Sequence, residues 1–125
     1  MKANPNPMES PSSLSISERQ MGDVTVLDLE GNVIMGGGSA RLRETLQRLK
    51  GEGREKILLN LARVKYMDSS GVGELLAGLK SLGEGHGHLK LLNPPERVEQ
   101  VLALSSVLGM FEVYTDESRA VNEFE

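Results

Sequence analysis

The spacing of apolar residues changes several times along this chain, and each change predicts a new element. Residues 14–29 contain two short runs in which apolar and polar positions alternate, separated by Met21-Gly22-Asp23. This pattern is typical of two antiparallel strands joined by a tight turn. After the glycine run 36–38, Ser39 is predicted to cap a helix. The apolar face of that helix carries Leu42, Leu46 and Leu49.

Strands and helices alternate through the middle of the chain. The continuous apolar run Ile57-Leu58-Leu59-Asn60-Leu61 predicts a central strand that is covered on both faces. Residues 69–82 place their apolar side chains on one helical stripe, and residues 89–92 form another short apolar run. Asn93-Pro94-Pro95 predicts the capped start of a third helix, because asparagine accepts from free N–H groups and proline fits the first turn.

The last residues complete the alternation. Residues 111–114 predict a final strand, and either Thr115 or Asp116 is predicted to cap a terminal helix. The predicted order is therefore β-β-α-β-α-β-α-β-α. This order predicts a single α/β domain with a mixed, mainly parallel sheet of about five strands and about four helices.

The length of the chain predicts one domain, preceded by a tail. If the 125-residue chain formed two domains, each of them would be too short to bury a sufficient core alone. Residues 1–13 hold three prolines among Asn and Ser, with no apolar segment behind Lys2, which predicts a flexible tail rather than a signal peptide. We therefore expect the domain to span residues 14–125 and the protein to be cytoplasmic. No apolar run approaches the ~20 residues that cross a bilayer, so no membrane insertion is predicted.

Composition narrows the chemistry that is open to the chain. With 14 Lys and Arg against 18 Asp and Glu, there is no broad basic surface for nucleic acid. The absence of Cys excludes thiolate metal sites and thiol nucleophiles. His86 and His88 have no third ligand nearby in sequence, so we predict no metal and no cofactor. Residues 36–39 lack the lysine that a nucleotide-binding phosphate loop requires. Ser69 is preceded by Met67 and Asp68 and not by the G-x of the G-x-S-x-G motif, so a serine hydrolase is not predicted.

One short segment has more polar residues than its structure requires. Asp68-Ser69-Ser70-Gly71-Val72-Gly73 lies between a predicted buried strand and the start of an amphipathic helix. Capping of that helix needs one polar side chain, and glycines weaken a helix by roughly 1 kcal/mol each relative to alanine. Exposed hydroxyls at the positive end of a helix are suited to carry a phosphoryl group. The residues alone do not distinguish Ser69 from Ser70 as the candidate.

The residues around this turn resemble a known family. Leu58-Leu59-Asn60-Leu61, Val64 and the run Met67-Asp68-Ser69-Ser70-Gly71-Val72-Gly73 look like the signature of STAS domains, specifically of the bacterial anti-sigma-factor antagonists. The similarity extends over residues 14–124 and includes Gly31 after the second predicted strand. In that family the serine directly after the aspartate accepts phosphate from ATP, delivered by an anti-sigma factor that is a serine kinase. The matching residue here is Ser69.

The resemblance implies partner switching rather than catalysis. The dephosphorylated protein would bind the anti-sigma serine kinase and release a sigma factor, phosphorylation of Ser69 would break that complex, and a serine phosphatase would reset it. The chain itself would be a substrate and not an enzyme. The implied interface is the turn around Ser69, formed by Asp68, Ser70, Gly71, Val72 and Gly73. We expect a monomer, with a dimer as the alternative.

The segment after Gly31 departs from the family pattern. Many antagonists carry acidic residues there, whereas residues 32–39 of this chain contain none. An additional interface is predicted at Asn32, Gly36, Gly37 and Ser39, and the apolar run 33–35 is predicted to be either a local contact or part of the core. The missing acids favour an alternative function, a STAS-type scaffold or a ligand-sensing or transporter accessory subunit that is not switched by phosphorylation.

Overall fold

A computed structural model describes residues 13–85 and 87–124. The predicted tail lies outside these residues except for Ser13, whose carbonyl accepts a hydrogen bond from the Asn32 N–H at 3.0 Å. His86 also lies outside them. The elements in chain order are β1 (Leu14–Met21), β2 (Val24–Val33), α1 (Gly37–Gly51), β3 (Lys56–Met67), α2 (Ser69–Glu84), β4 (His88–Leu92), α3 (Glu96–Leu104), β5 (Val113–Tyr114) and α4 (Glu117–Asn122). A one-turn 3-10 helix, Leu108–Met110, precedes β5.

The five strands form one mixed sheet in the order β1-β2-β3-β4-β5. β1 runs antiparallel to β2, and every later neighbouring pair is parallel. The predicted α/β architecture of five strands and four helices is therefore confirmed. In this arrangement the carboxyl ends of β2, β3 and β4 lie at one edge of the sheet, and α1, α2 and α3 each follow one of these ends.

Both faces of the sheet are covered, which explains the unbroken apolar run in β3. Leu59 and Leu61 point into the larger core, whereas Leu58 belongs to a smaller cluster on the other face. α1, α2 and α3 cover the larger core. α4 covers the smaller cluster through Ala120, and Phe124, two residues after the helix, packs into the same cluster. The helix residues in the larger core are Leu42, Leu46, Leu49, Val72, Leu75, Leu82, Val98 and Leu102.

Polar groups hold α4 on its face of the sheet. Lys90 is buried on β4, and its ammonium group donates to the Glu123 carbonyl at 2.7 Å. The same ammonium lies 4.6 Å from the centre of the Phe124 ring, a cation–π contact. Asp116 caps α4 by accepting from the Arg119 N–H at 3.2 Å, which confirms one of the two caps that the sequence predicts.

Two predicted caps are wrong, and one predicted strand is shorter. α1 begins at Gly37, and its cap position is Gly36 with no side-chain cap, so Ser39 lies inside the first turn and is buried. Gly36 adopts a φ of 103°, a backbone conformation that glycine adopts readily. The helix starts directly after it, so Gly37 and Gly38 belong to α1. Asn93 adopts a φ of 52° and Pro95 takes the cap position of α3. The final strand contains only Val113 and Tyr114.

Candidate functional site at the start of α2

The candidate site lies where β3 ends and α2 begins. The two elements are joined through Asp68 alone, since β3 ends at Met67 and α2 starts at Ser69. The backbone N–H of Asp68 donates to the Val33 carbonyl at 3.3 Å, which places the end of β2 beside this turn. The start of α2 is thus presented at the carboxyl edge of the parallel strands.

The Asp68 carboxylate caps α2 and binds a second segment at the same time. Its Oδ1 accepts from the backbone N–H groups of Ser70 at 3.0 Å and Gly71 at 3.2 Å. Its Oδ2 accepts from the backbone N–H of Met35 at 2.9 Å, in the loop between β2 and α1. A single side chain therefore fixes that loop against the first turn of α2.

The two adjacent serines have different environments. Ser70 is half-buried, and its hydroxyl donates to Asp68 Oδ1 at 2.6 Å. Ser69 is exposed, and its hydroxyl has no hydrogen-bond partner among residues 13–85 and 87–124. Ser69 is also the first residue of α2, where the partial positive charge of the helix favours an anion. The structure thus leaves one serine hydroxyl available and occupies the other.

The hydrogen bonds around Asp68 keep it anionic. Partial burial disfavours the charged form, but the hydroxyl of Ser70 and the N–H groups of Met35, Gly71 and Ser70 outweigh it and lower the pKa of Asp68 below its ordinary value. No acidic residue lies in the first turn of α2 itself. A phosphate on Ser69 would lie next to the Asp68 carboxylate. This carboxylate already accepts from the N–H groups of Ser70 and Gly71, so these two donors would not be free to bind the phosphate.

The two glycines of the turn serve different purposes. A Cβ at Gly71 would lie 2.4 Å from the Val33 carbonyl oxygen and 2.9 Å from a side-chain carbon of Met67, so only glycine allows α2 to lie this close to β2. A Cβ at Gly73 would meet nothing within 4 Å, and this residue is exposed. Close approach within the chain therefore explains Gly71 and leaves Gly73 unexplained. Val72 is buried in the larger core.

The additional interface predicted in the loop after β2 is only partly at the surface. Gly36 and Gly37 are exposed, Asn32 is half-buried, and Ser39 is only 6% exposed. The apolar run 33–35 contains one residue of the core and one at the surface. Val33 is fully buried in the core, whereas Met35 is 73% exposed beside Asp68. Gly36 and Gly37 are thus the members of this predicted set that a partner could reach directly.

Two further residues at this edge are not singled out by the sequence. Tyr66, two residues before Asp68, is 50% exposed. The Arg97 guanidinium, from the first turn of α3, lies 4.7 Å from the centre of the Tyr66 ring. Tyrosine is intermediate in its tendency to be buried, and Arg97 is 31 residues away in sequence, so only the tertiary structure shows this pair on the surface.

The described parts of the chain hold neither a cluster of metal ligands nor a membrane-spanning helix. No group of three or more His, Asp or Glu residues among them could hold a metal ion. His88 begins β4, at the opposite edge of the sheet from Ser69, and faces Lys56 across the strand pair. In residues 13–85 and 87–124, no helix is both long and apolar enough to span a membrane.

Comparisons with known proteins agree on one family. The model of the STAS domain matches residues 15–120. A relative from Thermotoga neapolitana is 36% identical over 72 residues, which cover 58% of this chain and 64% of that protein. The anti-sigma-B factor antagonist of Staphylococcus epidermidis is 32% identical over 72 residues, or 58% of this chain and 67% of that protein. The match thus spans about two thirds of the length of these relatives.

Solved structures share the fold over nearly the whole chain. The unphosphorylated form of the anti-sigma factor antagonist SpoIIAA superposes with a TM-score of 0.75 at 26% identity, covering 86% of this chain and 94% of that one. The phosphorylated form of the Bacillus protein SpoIIAA gives a TM-score of 0.69 at 25% identity, covering 86% and 97%. One fold thus accommodates both phosphorylation states in that relative.

Proposed function

The chain belongs to the STAS domain family, and from this premise we propose that it is an anti-sigma-factor antagonist switched by phosphorylation of Ser69. In the dephosphorylated state it binds an anti-sigma factor that is also a serine kinase, and a sigma factor is released. Phosphorylation ends this binding, and a serine phosphatase restores it. The protein is the substrate of the kinase and performs no catalysis itself.

The observation that carries the proposal is the contrast between the two serines. The Ser69 hydroxyl, at the exposed first residue of α2, can enter the active site of a kinase without first breaking a hydrogen bond within the described chain. The Ser70 hydroxyl is bound to Asp68 at 2.6 Å. The exposed, bare surface of Gly73 one turn further on leaves room for a partner to approach the same helix start.

The phosphoryl transfer needs little from this chain beyond presentation of the hydroxyl. The Ser69 oxygen attacks the γ-phosphorus of ATP held by the kinase, a new O–P bond forms, and the bond to the β-γ bridging oxygen breaks. ADP leaves, and the serine proton passes to a base of the kinase. Asp68 is held by Met35, Ser70 and Gly71, so its part is to orient the turn.

Local electrostatics explain how phosphorylation would end binding without unfolding the domain. A phosphoserine carries roughly −1.5 to −2 charges at neutral pH. On the free protein this charge is solvated and lies at the positive end of α2. Under a partner it would be buried beside the Asp68 carboxylate, and each ~1.4 kcal/mol of repulsion and desolvation weakens binding about tenfold.

The proposal predicts phosphorylation at one serine only. We would incubate the protein with ATP and each histidine-kinase-like serine kinase encoded in the same genome, and follow the intact mass. The wild type and Ser70→Ala are expected to gain one phosphate, and Ser69→Ala none. Fragment masses of the wild type should place the phosphate on Ser69.

Two outcomes would contradict the proposal. If no kinase of this class adds phosphate to the wild type, the chain is not phosphorylation-switched, and the scaffold or accessory function gains support from the loop without acidic residues. If Ser69→Ala gains phosphate as the wild type does, the acceptor is a different residue. Circular dichroism of Ser69→Ala and Ser70→Ala checks that both remain folded.

A further inference from the structure

Three surface residues line the same edge of the sheet as Ser69. Met35 follows the end of β2, Tyr66 lies near the end of β3, and Arg97 lies in the first turn of α3. We call these residues the Met35 rim. β2 and β3 pair as parallel neighbours, with Asn32 opposite Tyr66, so their carboxyl ends emerge side by side.

The residues of the Met35 rim are held in place although they are exposed. The backbone of Met35 is fixed by its hydrogen bond to Asp68 at 2.9 Å. The Tyr66 ring is covered on one side by the Arg97 guanidinium at 4.7 Å. Such preorganisation reduces the entropy lost when a surface binds a partner. Methionine, tyrosine and arginine are also the residue types enriched at protein interfaces.

The charge of the rim indicates what its partner presents. Within residues 13–85 and 87–124, Arg97 forms no ion pair, and its contact with Tyr66 is its one charged interaction. Met35 is 73% exposed and Tyr66 50% exposed, so both offer apolar surface. The first turn of α1, which follows Met35, contains no acidic residue. Glu96 and Glu99 lie beside Arg97 in the first turn of α3, so the surface is mixed in charge and the unpaired cation is confined to Arg97. The complementary surface is therefore apolar opposite Met35 and Tyr66, with a carboxylate at the point that meets Arg97.

We infer that the Met35 rim selects the partner of this protein: the anti-sigma kinase places an apolar side chain against Met35 and Tyr66, and a carboxylate against Arg97. This inference rests on the proposed function, because it assumes that the partner covers the Ser69 turn. Beyond the proposed function, it names the residues that determine the choice of partner and the chemical groups that they recognise.

The experiment measures affinity by isothermal titration calorimetry. The probe is the kinase that phosphorylates Ser69 in the mass assay, titrated without ATP into the unphosphorylated full chain. Met35→Glu, Tyr66→Ala and Arg97→Glu are each expected to weaken binding by about tenfold or more. Met110→Glu is the matched control, because Met110 is 57% exposed but lies beside Gly87 and His88 at the amino end of β4.

The outcomes separate this inference from the proposed function. Losses in all three rim variants, with Met110→Glu within about twofold of the wild type, support the inference. If the wild type binds and the rim variants bind within the same twofold, the inference is overturned and the proposed function stands. If the wild type itself does not bind the kinase, both are overturned. Unchanged thermal unfolding of each variant shows that the losses arise at the surface.

Discussion

The Asp68 carboxylate joins two segments that are 33 residues apart in sequence. As the cap of α2 it satisfies backbone donors of Ser70 and Gly71, which any helix start requires. As the acceptor of the Met35 N–H it also orders the loop beside Ser69. One residue therefore determines both the conformation of the candidate phosphorylation site and that of its neighbouring surface.

Removal of this carboxylate should affect stability and the loop together. Asp68→Ala is expected to lower the free energy of unfolding by about 1–3 kcal/mol, since it removes a cap and leaves the Met35 N–H without its acceptor. Hydrogen exchange should show faster exchange of the Met35 amide. The control is Asp116→Ala, which removes the cap of α4 and should leave Met35 unchanged. Equal protection of Met35 in both variants would show that Asp68 does not hold the loop.

At the scale of the element, α2 has two glycines in its first turns for different reasons. The Val33 carbonyl fills the space beside Gly71, so this glycine sets how closely α2 lies against β2. Gly73 faces open space and carries the conformational cost of a helical glycine without a contact in the chain. Gly73 thus lowers the stability of α2 although a larger side chain would fit there. A partner that approaches the helix closely at this position would account for the glycine.

The two glycines should respond oppositely to the same substitution. Gly71→Ala is expected to destabilise the protein by about 1–3 kcal/mol, because the added carbon must displace the backbone of β2. Gly73→Ala should stabilise it by roughly 0.5–1 kcal/mol through helix propensity. Urea denaturation of both variants measures the difference. Destabilisation by Gly73→Ala would mean that its surroundings are more crowded than the structure shows.

At the scale of the whole molecule, a charged network joins the first and last parts of the described chain. Arg19 on β1 donates to Asp28 on β2 at 2.6 Å and to Glu117 on α4 at 2.8 Å. Asn60 on β3 donates to the same Asp28 at 2.8 Å. The hydrogen bonds from Arg19 lower the pKa of both Asp28 and Glu117 below their ordinary values.

This network predicts how stability changes with pH. A carboxylate with a lowered pKa in the folded state stabilises the protein above its ordinary pKa, about 4, and this contribution is lost as the pH falls through the folded value. Asp28→Asn should therefore lower the free energy of unfolding at pH 7 by about 1–2 kcal/mol, and this difference should shrink as the pH falls below the ordinary pKa of an aspartate, about 4. Urea denaturation at several pH values measures this.

The control for the pH prediction is a more exposed ion pair. Asp23 is bound to Lys56 at 2.8 Å, but its side chain is 75% exposed, so solvent and salt screen the pair. Asp23→Asn should change the free energy of unfolding less than Asp28→Asn at pH 7. A loss for Asp28→Asn that stays constant down to low pH would show that its charge is not the cause.

The sequence by itself determined the architecture, because apolar periodicity reports burial directly. The alternation before and after Gly22 gave the antiparallel pair, and the unbroken run in β3 gave a strand covered on both faces. The turn from Asp68 to Gly73 was recognisable because its residue types lie next to each other in the chain. Caps were less predictable: Ser39 and Asn93 have suitable side chains, but glycine and proline backbones decided where α1 and α3 begin.

Only the tertiary structure decided how the turn differs from one residue to the next. Ser69 and Ser70 are chemically identical, and the position of Asp68 occupies one hydroxyl and leaves the other exposed. The neighbours of Gly71 and the exposure of Met35 likewise depend on the approach of β2 to the start of α2. The contact of Met35 with Asp68 and that of Val33 with Gly71 join residues more than 30 positions apart, so no local pattern in the sequence encodes them.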